Sequence, residues 1–120
     1  MNKRDHLQNA RRNKRIVVNH LLSIVEDFPE WVSIASFYSA LHFVEAYFAE
    51  HNLDFEYHEE RNSYVSNLLP EISSMYLRLY DFSVNSRYKS VRDHPTPDEA
   101  RELAEIELVN IEEYILSHLR

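Results

Sequence analysis

The stretch Trp31–Glu50, WVSIASFYSALHFVEAYFAE, is apolar around nearly its whole circumference when it is drawn as a helix. Apolar side chains recur three and four residues apart along one face, and others fill much of the remaining surface. The first set is Trp31, Ile34, Ala35, Tyr38, Leu41, Val44 and Phe48, and the second is Phe37, Ala40, Phe43 and Tyr47. Such a helix must be enclosed by other helices or by lipid. The interruptions at Ser33, Ser36, Ser39, His42 and Glu45 argue against lipid, so we predict the central helix of a bundle.

Further helices are predicted on both sides of this central one. A first helix is predicted over residues 5–27, and its polar first half is expected to project from the body or to fray. Phe28-Pro29 separates it from the central helix, since proline is favoured at the first position of a helix. A third helix is predicted over residues 58–89 with a break at Pro70, because proline removes one helical hydrogen bond and crowds the preceding turn.

The sequence Thr96-Pro97-Asp98-Glu99 is the clearest local signal of a helix start. The Thr96 side chain can accept from the Glu99 amide while the Glu99 side chain accepts from the Thr96 amide, and Pro97 suits the first helical position. An apolar stripe then runs to the end of the chain: Ala100, Ala104, Leu108, Ile111, Ile115 and Leu119. We therefore predict an all-α fold, an antiparallel four-helix bundle with a break at Pro70, in one domain over residues 1–120.

The composition excludes several kinds of site. The chain has no cysteine, which excludes disulfides, thiolate metal sites and cysteine nucleophiles, and no glycine, which disfavours phosphate-cradling glycine loops. No Glu-x-x-His pair is repeated on two helices, so we predict no metal site and no cofactor. The first residues are polar and no long apolar run follows, so we predict neither a secretory signal nor a membrane span. We therefore expect a cytoplasmic location.

Charge is unevenly distributed along the chain. Six Lys and Arg against Asp5 give residues 1–15 a net charge of +5, so the total of −7 leaves −12 for residues 16–120. Two interpretations stay open for this basic segment. It is either the solvated or self-packed start of a helix, or a surface that contacts RNA or an acidic partner.

Three polar groups interrupt the apolar faces. His42 and Glu45 lie one turn apart on the central helix, and His58 and Arg61 lie one turn apart at the start of the third. The third group is Asp81, Arg87 and Tyr88 near the end of that helix. If the central and third helices are antiparallel, Arg87 can neutralise Glu45, since a buried carboxylate without a partner is costly. These residues are predicted to form either a buried hydrogen-bonded network or a ligand-binding site.

Three segments together resemble the HEPN family (higher eukaryote and prokaryote nucleotide-binding). They are Tyr38-Ser39-Ala40-Leu41-His42, then His58-Glu59-Glu60-Arg61, then Leu79-Tyr80-Asp81-Phe82-Ser83 continuing to Arg87-Tyr88. The resemblance covers roughly residues 28–90 and implies an all-α bundle that is often homodimeric. It also implies a nucleotide- or RNA-binding or regulatory module of a toxin–antitoxin or defence-type system, with an antitoxin or a small nucleotidyltransferase as a partner.

Members of the nuclease branch of that family carry an Arg followed by four to six residues and a His, and this chain has Arg87-YKSVRD-His94. The resemblance thus implies a metal-independent endoribonuclease as an alternative, in which histidine moves protons and arginine stabilises the charged phosphorane. In this chain Tyr88 follows Arg87, where the nuclease branch prefers a small polar residue. A second alternative is a protein–protein interaction scaffold without a ligand.

Overall fold

A computed structural model describes all 120 residues, Met1–Arg120, and is entirely helical, without a β-strand. The predicted all-α class is confirmed. Six α-helices follow one another: α1 (Lys3–Asn19), α2 (Pro29–Glu50), α3 (His58–Leu68), α4 (Pro70–Tyr88), α5 (Pro97–Glu102) and α6 (Leu108–His118). Short 3₁₀ segments lie at Leu21–Ile24 and Val91–Asp93, and a π-helical segment, Leu103–Glu107, joins α5 and α6. No helix is both long enough and apolar enough to cross a membrane.

α2 lies at the centre of the molecule. Its phenylalanines Phe37, Phe43 and Phe48 are fully buried, and the main hydrophobic cluster joins it to α1, α3, α4 and α6. α1 runs antiparallel to α2, since Lys3 contacts Glu50 and Ala10 contacts Ser39. The prediction of an enclosed central helix is therefore confirmed.

Two details of α2 differ from the predicted pattern. Trp31 is 54% exposed because it lies on the side of α2 away from the buried Val32 and Ser33. Ser33, Ser36 and Ser39 are fully buried. The Ser39 hydroxyl donates to the carbonyl oxygen of Ala10 at 2.7 Å. Small side chains at the contact let the backbones of α1 and α2 approach each other closely, a packing advantage that hydropathy alone does not reveal.

α1 ends earlier than predicted and does not project. It stops at Asn19 and is followed by the 3₁₀ segment, in which the Ser23 hydroxyl donates to the carbonyl oxygen of His20 at 2.6 Å. The predicted fraying of its first half is wrong, since Lys3 pairs with Glu50 and His6 is buried against α2. The basic segment is thus held along the central helix.

The helix ends follow local chemistry. Pro70 begins α4 directly after α3 ends, which confirms the predicted break, and Thr96 and Glu99 form the predicted capping box. The chain has no glycine to end α2, and Asn52 takes the left-handed conformation there, with φ of 59°. The Leu53 amide donates to the carbonyl of Phe48 at 2.9 Å and the Asn52 amide to that of Ala49 at 3.1 Å. These two bonds form a Schellman motif, in which asparagine is the usual substitute for glycine.

The π-helical segment aligns two carboxylates. Arg78 of α4 donates to Glu107 at 2.6 Å and to Glu102 at 3.1 Å. On an α-helix the side chains of residues five positions apart point in different directions. The wider turn of a π-helix brings two such side chains toward the same side of the helix. The segment therefore lets one arginine pair with both glutamates.

Candidate functional site

A buried ion pair between Glu45 and Arg61 forms the centre of the polar group. Glu45 is 3% exposed and Arg61 is 7% exposed, and the Arg61 Nε donates to Glu45 Oε1. Arg61 Nη2 also donates to the carbonyl oxygen of Phe55 at 2.9 Å, so the guanidinium fixes the connection between α2 and α3. Burial raises the pKa of Glu45, and the bond from Arg61 opposes that shift.

The expected partner of Glu45 was Arg87, and that expectation is wrong. Arg61 occupies the position because its buried side chain extends from α3, which packs against α4, to Glu45 on the central helix. Arg87 instead donates from Nη1 to the Tyr38 hydroxyl at 2.9 Å and from Nε to the carbonyl oxygen of Ser83 at 3.2 Å. No carboxylate pairs with it, so Arg87 keeps an uncompensated positive charge at a half-exposed position.

Two tyrosine rings lie against the Arg87 guanidinium. Its central carbon is 5.5 Å from the centre of the Tyr38 ring and 5.0 Å from that of the Tyr88 ring, within the range of cation–π attraction. Tyr88 is 72% exposed, so one side of this arrangement is open to solvent.

His58 lies beside the ion pair and within the electrostatic influence of Arg87. Arg61 Nη1 lies 3.0 Å from His58 Nδ1, and because arginine can only donate, Nδ1 accepts and the imidazole is neutral. The ring packs against Tyr80 and Phe37, with centres 5.5 and 5.8 Å apart. Burial lowers the pKa of His58, and the positive charges of Arg61 and Arg87 lower it further.

We call the set His58, Arg87, Tyr38, Tyr80 and Tyr88 the Arg87 cluster. It combines one unpaired guanidinium, one neutral imidazole and three phenol rings along the α2–α4 contact, from the middle of both helices to the end of α4. Guanidinium groups bind phosphate through two parallel hydrogen bonds, and aromatic rings stack on nucleobases. The chemistry of the cluster therefore suits a ligand with both groups.

His6 belongs to the polar interior, although the sequence pattern gave no indication of this. The Nδ1 atoms of His6 and His42 lie 2.9 Å apart, so one of them donates and the other accepts. Burial lowers the pKa of both residues, for His42 to about 4. A histidine one residue after the predicted helix start is a weak signal in a single sequence, and only the pairing of α1 with α2 brings the two rings together.

Asp81 and Tyr88 lie outside the interior. Asp81 is exposed and lines a shallow surface groove of about 290 Å³ on α4, with Ser74, Leu77, Arg78, Phe82 and Asn85. Both residues were predicted in a buried polar centre or ligand site, and the buried alternative is wrong for them. Asp81 points away from α2 because it lies on the opposite face of α4 from the buried Leu79 and Ser83.

His94 follows the 3₁₀ segment after α4 and is partly buried. Its Nε2 atom is enclosed and makes no hydrogen bond within the chain. No hydrogen bond joins it to Arg87, whose partners are Tyr38, Ser83 and Tyr88. The two residues of the Arg-x₆-His pair are thus not in direct contact within one chain.

No group of three or more histidines and carboxylates lies close enough to hold a metal ion. Comparisons of this chain with protein-family profiles, with curated proteins and with solved structures found no match.

Proposed function

We propose that this chain is a nucleotide- or RNA-binding regulatory module of the toxin–antitoxin or defence type. The observation that carries the proposal is the Arg87 cluster: a half-exposed guanidinium without a carboxylate partner, flanked by the Tyr38 and Tyr88 rings and next to a neutral His58. Elsewhere in the interior the protein pairs its charges, as Glu45 and Arg61 do.

The ligand would use two properties of the cluster. Its phosphate would accept hydrogen bonds from Arg87, whose Nη1 is already oriented by Tyr38. Its base would stack on Tyr88, the most exposed ring of the cluster. Glu45 and Arg61 would support the site indirectly. Arg61 would hold the His58 imidazole in position through the hydrogen bond to its Nδ1.

Thermal unfolding in the presence of nucleotides tests this proposal. A ligand at 100 times its Kd stabilises the folded state by about 2.7 kcal/mol, or on the order of 10 °C for a domain of this size. We expect such a shift with at least one purine or pyrimidine nucleotide, and its loss in Arg87→Ala. Arg120→Gln is the matched control. It removes one charge near Glu50, which lies about 18 Å along α2 from Tyr38. No shift with any nucleotide would contradict the proposal and favour the interaction scaffold.

We further propose that the helices form a HEPN-like antiparallel four-helix bundle of α1, α2, α4 and the α5–α6 rod, with α3 as an additional short helix. The proposed active form is a homodimer, with an antitoxin or a nucleotidyltransferase as a further partner. Support for a dimer comes from exposed apolar side chains around the Arg87 end, including Val91, which is 81% exposed. Light scattering of the wild type and of Val91→Asp tests this, since a monomeric wild type would contradict it.

A metal-independent endoribonuclease is the second candidate. The observation that bears on it is the Nε2 of His94, which lacks a hydrogen-bond partner in the chain. Because this atom is enclosed, a substrate hydroxyl would reach it only after the residues around His94 move. Incubation with RNA in EDTA tests this function. Cleavage that is lost in both Arg87→Ala and His94→Ala would support it, and intact RNA at high protein excess would contradict it.

A further inference from the structure

The outer face of α1 carries four arginines that make no ion pair. Arg4, Arg11, Arg12 and Arg15 are all exposed, and none contacts a carboxylate. Spacings of seven, four and three place them on one broad side of the helix, away from the buried Ala10 and Val17. Asp5 is the only acidic residue of α1. A strongly positive strip is thus maintained on a chain whose net charge is −7.

The two lysines of the same helix have a different role. Lys3 pairs with Glu50 of α2 at 3.1 Å, and Lys14 pairs with Glu112 of α6. The lysines therefore attach α1 to the body, and the arginines face solvent. Arginine and lysine carry the same charge, but the planar arginine fork matches phosphate oxygens with two hydrogen bonds.

We propose that this arginine strip binds the phosphate backbone of a nucleic-acid duplex. The twelve residues from Arg4 to Arg15 span about 16 Å of helix, over which a duplex presents on the order of ten phosphate charges. Three shallow depressions of about 300, 340 and 330 Å³ lie between the side chains, and Arg15 lines all of them. Gln8, Asn9 and Asn19 line them as well and supply further hydrogen-bond donors.

The character of the strip favours a backbone over a protein partner. A specific protein interface needs buried aromatic or aliphatic anchors, and the strip offers Val18 as its one large exposed apolar side chain. It carries no Phe, Tyr or Trp side chain, and His20 is the one ring that lines a depression, so the strip has few groups for stacking on bases. The site is distinct from the Arg87 cluster and does not depend on it, because it lies on the side of α1 that faces away from α2.

Fluorescence anisotropy with a 20-base-pair duplex tests the proposal, using RNA and DNA in separate arms and a salt titration. Arg11→Gln/Arg15→Gln is compared with Arg101→Gln/Arg120→Gln, which removes the same charge outside α1. We expect the α1 variant to weaken binding at least tenfold at 50 mM salt and to reduce the slope of log K against log salt by about 1.8. The control is expected to keep the slope of the wild type. Similar losses with RNA and DNA would identify the ligand as the backbone common to both.

Several results would overturn the proposal. One is a wild type that binds neither duplex, and another is an equal loss of affinity in the α1 variant and its control. A third is displacement of the duplex by polyglutamate of equal charge, which would indicate an acidic peptide as the ligand. Arg87→Ala separates the two sites. If Arg87→Ala lost duplex binding and the α1 variant kept it, the phosphate backbone of the duplex would bind at the Arg87 cluster, and the arginine strip would not be a binding site.

Discussion

Arg61 on α3 pairs with Glu45 on α2 inside the protein, and Glu45 is the one buried carboxylate of the chain. The pair links α3, which packs against α4, to the central helix, and the same guanidinium also holds the carbonyl oxygen of Phe55 and the imidazole of His58. Burying two charges costs free energy even when they are paired. The arrangement therefore stabilises one specific packing of α3 more than it adds net stability.

Arg61→Met is expected to reduce the free energy of unfolding by about 3–5 kcal/mol, because it leaves Glu45 buried without a partner. Urea unfolding measures this loss. The double variant Glu45→Leu/Arg61→Met is expected to lose less than the sum of the two single variants. Arg101→Met is the control: it breaks exposed pairs with Glu26 and Asp98 and is expected to cost at most about 1 kcal/mol. Equal losses in Arg61→Met and Arg101→Met would contradict this account.

The His6–His42 pair predicts a dependence of stability on pH. The pKa of each residue lies below 6.5 in the folded state, for His42 at about 4, so the unfolded chain binds more protons between these values. The stability that the neutral pair contributes is therefore present above pH 6.5 and is lost as the pH falls toward 4. The pair is partly open to solvent, which limits the expected loss to about 1–2 kcal/mol.

Urea midpoints from pH 7 to pH 4 test this dependence. His6→Gln/His42→Gln keeps polar side chains that do not titrate, and its midpoint is expected to fall less than that of the wild type. The raised pKa of Glu45 acts in the opposite direction just above pH 4.5, but it is common to both proteins. Identical profiles for the two proteins would exclude the histidine pair as the source.

The buried serines of α2 predict that larger side chains are not tolerated at the contact with α1. Ser39→Leu is expected to destabilise the fold by about 1–3 kcal/mol or more, because Ser39 is fully buried and its hydroxyl contacts the Ala10 carbonyl. Ser66→Leu on the exposed side of α3 is the control, with an expected change within about 0.5 kcal/mol. Thermal and urea unfolding compare the two. A Ser39→Leu protein as stable as the control would show that α1 does not approach α2 closely.

The capping box predicts that Thr96→Ala costs about 1 kcal/mol of stability, since the Glu99 amide loses its acceptor at the start of α5. Thr96→Ser keeps the hydroxyl and is expected to retain most of the stability. Urea unfolding distinguishes the two variants, and equal losses would mean that the methyl group, not the hydrogen bond, matters.

The features of the fold that were predicted from sequence depend on local chemistry. Pro70 and the Thr96 box act within one helical turn, and the apolar circumference of α2 requires burial wherever the other helices lie. The early end of α1 at Asn19 was not predicted, because neither glycine nor proline marks it.

The parts of the site that were missed depend on contacts between distant segments. Sequence patterns identified Glu45 as a residue in need of a partner but indicated Arg87 and not Arg61, since the true partner depends on where the packed helices place each arginine. His6 was missed for the same reason. The basic character of α1 was visible, but the assignment of its lysines to ion pairs and its arginines to solvent required the packed structure.

The most direct test of the proposed function is the affinity of a short RNA for the Arg87 cluster. A labelled tetranucleotide of 2′-O-methyl RNA, which cannot be cleaved through its 2′-hydroxyl, is titrated at 200 mM salt, where contacts to the backbone alone are weak. Fluorescence anisotropy is expected to give a Kd at least tenfold higher for Arg87→Ala than for the wild type, and a Kd within twofold of the wild type for Arg120→Gln. Equal affinities for the wild type and Arg87→Ala would contradict the account.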